Sequence, residues 1–199
     1  MKTYSRSHCP SELKHTKEFK GGGFRSYDHL YDVAATHAPT NTWAEFGVGC
    51  GRSARAFADL LGSNGNLYLF DSWKGIPDDW VLSPSVTSRK GSWKFPRMYT
   101  KDNRLIITDG LFSDTLPFNF PEQLGLINID CDVYSSTIDV LFGVDEYIKS
   151  GTVLIFDELI GYTNYRDHEY KALQEWLFAT HRKIEWLCKE RFAAVGVVQ

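Results

Sequence analysis

No stretch of this 199-residue chain reads as a membrane span: its unbroken aliphatic and aromatic runs are short, as at Val153 to Phe156. Nor is one sign of charge in excess. The 22 Lys and Arg face 25 Asp and Glu, a formal net charge of −3, which gives no footing for nucleic acid or an anionic membrane as a general partner. Cysteine is sparse. Cys9, Cys50, Cys131 and Cys188 lie far apart and form no Cys-x-x-Cys, which argues against a disulfide framework and against structural zinc. The opening residues are polar and basic, without the apolar core of a signal peptide, so reduced thiols in a cytoplasmic protein are expected. Repeats and low-complexity segments are lacking too. What remains is a 43% apolar chain of a length that suits one globular domain with a full core.

Residues 1–23 form a polar arm carrying Lys2, Arg6, Lys14, Lys17 and Lys20, with little to bury. Gly21-Gly22-Gly23 reads as its flexible joint, so a mobile or loosely docked arm is expected before a domain over 24–199. Phe24 to His37 then has helical spacing, with Leu30, Val33 and Ala34 on one face.

Trp43 to Val48 is a short strand that runs into Gly49-Cys50-Gly51-Arg52-Ser53 and a helix with Ala54, Phe57, Ala58 and Leu61 on its face. Strand, glycine-rich turn and helix make a corner where backbone can approach a ligand and helix N–H groups can hold it. The pattern fits both the G-x-G-x-x-G/A dinucleotide loop and, from Glu45, the E-x-G-x-G-x-G loop of S-adenosylmethionine enzymes. The next strand, Asn66 to Phe70, delivers Asp71 some 20 residues past Gly51, where an acid can bind two ribose hydroxyls of either cofactor. Ser72 and Trp73 are placed to lie beside an adenine, and plain packing explains Trp73 equally well. Residues 76–102, rich in aromatics and basic residues, read as a lid or acceptor loop. After a third strand, Arg104 to Thr108, Asp109 and Gly110 are candidates for the adenine side.

The chemistry concentrates at the ends of two further strands. Leu124 to Ile129 leads into Asp130-Cys131-Asp132, with Ser136 as the expected cap of a helix from Thr137 to Lys149; Thr152 to Phe156 leads into Asp157-Glu158. Four carboxylates gathered there need a cation among them or must hold protons. Because side chains alternate along a strand, Asp130 and Asp132 point the same way if the strand persists. His168 precedes a helix from Glu169 to His181. Finally, Ile184 to Cys188 and Phe192 to Gln199 are strands joined by a connection short enough to demand an antiparallel hairpin. A mostly parallel seven-stranded sheet with helices on both faces and a terminal hairpin is the Rossmann-like α/β layout of class I methyltransferases; nicotinamide dehydrogenases usually finish with parallel strands.

Glu45-Phe46-Gly47-Val48, Phe70-Asp71-Ser72-Trp73-Lys74-Gly75-Ile76-Pro77, Asp114-Thr115-Leu116-Pro117, the Asp130-Cys131-Asp132-Val133-Tyr134-Ser135-Ser136-Thr137 segment and Asp157-Glu158 together resemble the macrocin-type O-methyltransferases, which methylate sugar hydroxyls in macrolide and aminocoumarin antibiotic biosynthesis. The resemblance implies that Glu45, Gly47, Gly51 and Ser53 line the methionine and ribose of S-adenosylmethionine, with Gly49 and Arg52 of the same loop. It puts Asp71 on the ribose, Asp130, Asp157 and Glu158 on Mg2+, and Asp132 as the general base. The family usually has Asp-Asp where this chain has Asp157-Glu158. The partner implied is a small hydroxylated acceptor, with neither nucleic acid nor membrane, and self-association is left open. A NAD(P)-dependent oxidoreductase and a non-catalytic cofactor-binding protein of the same fold are the alternatives.

Overall fold

A computed structural model describes residues 4–19 and 27–199. The expected glycine joint at 21–23 and the expected helix start at 24–26 lie outside the described residues. In chain order the elements are β1 (Lys17–Glu18), α1 (Asp28–His37), β2 (Thr42–Phe46), α2 (Arg52–Leu60), β3 (Asn66–Asp71), β4 (Trp80–Ser83), β5 (Val86–Ser88), β6 (Leu105–Asp109), α3 (Phe112–Thr115), β7 (Leu126–Ile129), α4 (Tyr134–Gly143), β8 (Val153–Phe156), α5 (Glu169–Thr180), β9 (Ile184–Glu190) and β10 (Ala193–Val198).

Eight strands form the main sheet in the order β1-β9-β10-β8-β7-β2-β3-β6. The run from β8 to β6 is parallel, and β10 pairs antiparallel with both β8 and β9, so the expected terminal hairpin is present. Every residue of β2, β7 and β8 is buried, as befits parallel strands covered on both faces. Alternate residues divide between two cores. Ile127, Ile129, Leu154 and Phe156 pack with Val140, Leu141 and Trp176 of α4 and α5. Leu126, Val153 and Ile155 pack with Leu30 of α1 and Ala54 and Phe57 of α2. From β2 the chain moves outward through β3 to β6, then returns to the other side of β2 at β7. That reversal opens a crevice between β2 and β7 at the carboxyl ends of the strands. No helix among the described residues is long and apolar enough to cross a membrane.

Three local readings differ from expectation. Residues 4–19 dock as an eighth strand instead of hanging loose: β1 pairs parallel with β9, Leu13 is fully buried, Tyr4 packs edge-on against Phe192, and Lys189 Nζ donates to the Leu13 carbonyl. The segment 76–102 is not wholly irregular. It contains the β4–β5 hairpin, whose Trp80 is fully buried against Tyr162 and His168. His168 is thus an anchor for this hairpin, its Nε2 lying 3.2 Å from the Val81 carbonyl. Burial lowers its pKa. Ser136 is not a helix cap. α4 starts three residues earlier than expected, and Thr137 N–H already donates to Val133 O at 3.1 Å, leaving Ser136 inside the first turn.

Candidate active site

The crevice encloses about 490 Å³, within the usual range of about 300–1,000 Å³ for small-molecule sites. Its floor is the seam between β2 and β7. There Asp130 N–H donates to Phe46 O at 2.9 Å, while on the other side of β2 Gly47 N–H donates to Phe70 O of β3 at 2.9 Å. Gly47 has φ +95°, and a Cβ on it would lie 1.8 Å from the Asp130 carbonyl oxygen, so no other residue fits the seam.

On one side lies the glycine corner. Asp71 accepts from Gly49 N–H at 2.8 Å and from Trp73 N–H at 2.6 Å, one bond to each carboxylate oxygen. Trp73 donates its Nε1–H back to Gly49 O at 3.1 Å. The loop and the end of β3 are thereby tied together by local bonds. Beneath them, the fully buried Glu45 accepts from the Ser53 hydroxyl and, at 3.2 Å, from Asn128 Nδ2, both at Oε1. Its Oε2 is buried without a hydrogen-bond partner. Burial pushes the Glu45 pKa up to about 8, against the pull of its two donors.

Of the sequence candidates, Gly47, Gly49, Arg52, Ser53, Asp71, Ser72 and Gly110 line the crevice. Four do not. Glu45 sits under Ser53. Gly51 caps α2 with its Cα against Met98, where a Cβ would lie 2.6 Å from Sδ. Trp73 is buried as a strut for the loop, under the Arg97 guanidinium at 5.4 Å. Asp109 turns outward and pairs with Arg97 at 3.2 Å.

The opposite lip is acidic. Asp130, Asp132, Asp157 and Glu158 all line the crevice. Among the described residues, oxygens of Asp130, Asp132 and Glu158 lie within 4.8 Å of one another. Burial, then Glu158 and Asp132, hold the Asp130 pKa well above the ordinary carboxylate range. Asp157 stands apart from this trio, toward α1. After burial itself, its charge is the largest influence pushing up the Tyr27 and Tyr31 phenols that face the crevice. The strand does not persist to Asp132. Asp132 has φ +61°, and Val133 N–H donates to Cys131 O at 2.6 Å, a γ-turn that redirects its side chain. Asp tolerates the left-handed region better than most residues do, yet such backbone costs about 1–3 kcal/mol and persists only where its surroundings hold it.

What holds it is Glu169, the first residue of α5. Its Oε1 accepts from Cys131 N–H and Asp132 N–H, each at 3.3 Å, and its Oε2 accepts from Glu158 N–H at 3.2 Å. Burial and Glu158 raise its pKa to about 8 against these three donors. Nothing at the start of a helix marks such an acid in the sequence, because Glu is an ordinary first-turn residue there. The insertion contributes Ile76, Pro77, Trp93 and Phe95 to the walls, and its Asp78 accepts from the Ser135 hydroxyl at 2.6 Å. Phe95 lies 3.4 Å from where a Cβ on Gly49 would be, so this wall belongs to the glycine corner as well as to the acidic lip.

Among solved structures, the chain is similar to CalS11, a calicheamicin methyltransferase, at 23% identity and a TM-score of 0.71, covering 85% of this chain and 77% of that one. It is similar to the O-methyltransferase NovP at 17% identity and a TM-score of 0.65, covering 84% and 78%. An O-methyltransferase from Bacillus cereus in complex with SAH aligns at 13% identity and a TM-score of 0.53, covering 89% and 84%. At these identities the likeness is one of fold. No curated protein sequence matches the chain. The family model described as a methyltransferase domain matches residues 44–159, more than half of the chain, from within β2 to past the Asp157-Glu158 lip. The chain therefore belongs to the methyltransferase-domain family, and by that family it is an S-adenosylmethionine-dependent methyltransferase.

Proposed function

We propose that the protein is an Mg2+-dependent O-methyltransferase that acts on a hydroxyl of a small molecule, with sugars as the first class to try. The observation that carries this reading is the meeting of Asp130, Asp132 and Glu158 oxygens within 4.8 Å at the lip of a cofactor-sized crevice. Carboxylates so close repel, and an all-oxygen set of this kind suits a hard divalent cation that keeps open positions. The cofactor fits as well: Asp71 and Gly49 are tied at the ribose position, and Ser53 presents its hydroxyl over a Glu45 whose Oε2 lacks a partner. The glycine loop alone also suits a dinucleotide, but membership of the methyltransferase family answers that ambiguity.

A sugar or alcohol hydroxyl is a weak nucleophile near neutral pH. A cation bound at the lip supplies Lewis acidity that lowers its pKa. The chain's own residues do the rest. Asp71 and the glycine corner hold the sulfonium cofactor, and the acidic lip presents the acceptor oxygen to its methyl group. With that cofactor in place, methyl transfer would form an oxygen–carbon bond as the sulfur–carbon bond breaks and would release S-adenosylhomocysteine, and a carboxylate at the lip would take the hydroxyl proton. The family pattern gives Asp130 and Glu158 to the cation, and the closeness of their oxygens supports that reading. The family pattern gives the third place to Asp157 and the proton to Asp132; the present geometry groups Asp132 with the holders. Asp132→Asn and Asp157→Asn separate these assignments: the holder's variant loses cation affinity, whereas the base's variant keeps it and loses turnover. The likeness to CalS11, described in its apo structure as a TDP-rhamnose 3'-O-methyltransferase, supports starting the acceptor search with hydroxylated sugars.

The deciding experiment is calorimetric titration of S-adenosylmethionine and S-adenosylhomocysteine, each with Mg2+ and with EDTA, and NADH as control. Binding of both sulfur cofactors, an independent Mg2+ heat and no NADH binding are expected. Absence of an Mg2+ heat, with the cofactors bound, would remove the metal from the mechanism.

A further inference from the structure

The sheet ladder ends just short of the acidic lip. Asp130 N–H and Asp157 N–H still donate to strand carbonyls, those of Phe46 and Ile129, at 2.9 and 3.0 Å. The next N–H groups along both chains, those of Cys131, Asp132 and Glu158, all donate to Glu169. β7 and β8 are neighbours, with Ile129 opposite Phe156, so Glu169 takes over their connection where backbone pairing stops. It comes from a third element, α5, and it is fully buried.

The chemistry of the side chain explains why an acid stands there. Another carboxylate beside an acidic cluster is electrostatically unfavourable. Only a carboxylate, however, accepts on both arms of a planar fork. A glutamine of the same shape would turn an NH2 donor toward either Glu158 N–H or the Cys131 and Asp132 pair. Truncation would strand three buried N–H groups without an acceptor. The grip also falls on the left-handed Asp132, the residue whose backbone most needs support.

We propose that Glu169 is a positioning residue: by gripping both lips from below with one carboxylate, it sets the spacing at which Asp130, Asp132 and Glu158 meet. This rests on the reading of that trio as a cation site. Glu169 itself does not line the crevice; it acts through the backbone of the two loops.

The test uses the full chain with Glu169→Gln, Glu169→Asp and, as a control that loosens α5 without reaching the lip, Leu173→Ala. Three quantities are read: amide hydrogen exchange over residues 127–137 and 156–162, Mn2+ affinity by electron paramagnetic resonance, and S-adenosylhomocysteine affinity by calorimetry. In Glu169→Gln, exchange at Cys131, Asp132 or Glu158 is expected to accelerate at least about tenfold, and Mn2+ affinity to fall by about 10–100-fold. S-adenosylhomocysteine affinity is expected to stay within about threefold of wild type, since the glycine corner has its own bonds. Glu169→Asp, one methylene short, should keep one side of the grip and fall between the two; it carries the test if the Gln variant does not fold. Leu173→Ala should lower the melting temperature while leaving lip exchange and Mn2+ affinity as in wild type. Unchanged exchange and Mn2+ affinity in a folded Glu169 variant would overturn the proposal, and so would equal losses in Leu173→Ala. If the wild-type protein takes up no Mn2+, the cation reading falls on its own, and exchange at the three amides still decides whether Glu169 holds the lips.

Discussion

The two sides of the crevice are built in different ways. The glycine corner is held by what lies near it: Gly49, Asp71 and Trp73 exchange three hydrogen bonds over 25 residues of chain. The acidic lip is held from afar. Its three outermost N–H groups depend on Glu169, which comes 37 residues after Asp132 and from another element. The first side is a motif that carries its own support. The second is a pair of loose ends that only the completed fold brings to one spacing. Damage should accordingly spread differently on the two sides.

The largest break is expected at the seam both sides share. Gly47→Ala forces a Cβ against the Asp130 carbonyl at φ +95°. A loss of about 5 kcal/mol or more, lowering the melting temperature by more than about 10 °C, is expected by calorimetry. Both S-adenosylhomocysteine and Mn2+ binding should go with it. A folded Gly47→Ala protein that keeps either ligand would show that the two sides do not meet there.

The next effect is on pH dependence and reads the glycine corner through Glu45. Glu45 has its folded pKa raised to about 8 by burial. A raised carboxylate contributes stability that is fully present below its unfolded pKa of about 4.3 and is lost as pH rises through about 8. The metal-free protein should therefore lose on the order of 3 kcal/mol from this group between pH 5 and pH 8. Glu45→Gln should remove that share of the slope in urea titrations at several pH values, leaving the share of Glu169, also raised to about 8. An equally steep slope in the variant assigns it to other groups.

A sharper contrast comes from a pair of variants. Asp71→Asn removes the charge at the ribose position, and S-adenosylhomocysteine affinity should fall about 30-fold with Mn2+ affinity untouched. Asp130→Ala should do the reverse. With the cation absent it should also raise the melting temperature at pH 8, because one member of a crowded acidic set is gone. Cross-effects of similar size in both variants would mean that the crevice behaves as one unit. The smallest effect is expected at Trp73→Phe, which keeps the packing and loses the bond to Gly49 O. About 1 kcal/mol, or roughly a fivefold weaker S-adenosylhomocysteine affinity, should follow.

This contrast also explains how far the sequence could be read. Strand, glycine turn and helix over 43–61, Asp71 at the end of the next strand and the closing hairpin all show in local pattern, because apolar period and glycine placement encode them directly. The acids at 130, 132, 157 and 158 were visible as residues, but not their grouping. An extended strand places Asp130 and Asp132 alike; the γ-turn at Asp132 changes that, and it depends on Glu169. Trp73 and Asp109 sit at the expected positions along the chain, yet their side chains turn to Gly49 and Arg97, a choice made by neighbours rather than by spacing. The docking of residues 4–19 was invisible for the same reason. Leu13 of that polar stretch is fully buried, and its site is assembled by β9.

That docked segment bears on how copies of the protein behave toward one another. Without β1, the seven-residue β9 would be the rim of the sheet, with its outward N–H and C=O groups open to any extended chain. Such rims recruit strands from other molecules, and short blocking strands with lysine are a common defence. Lys17 and Glu18 occupy the rim at Cys188 and Lys189, and Phe19 N–H continues onto Lys189 O at 2.9 Å. The polar character that made this stretch look expendable therefore suits it to keep the sheet from growing into its neighbours.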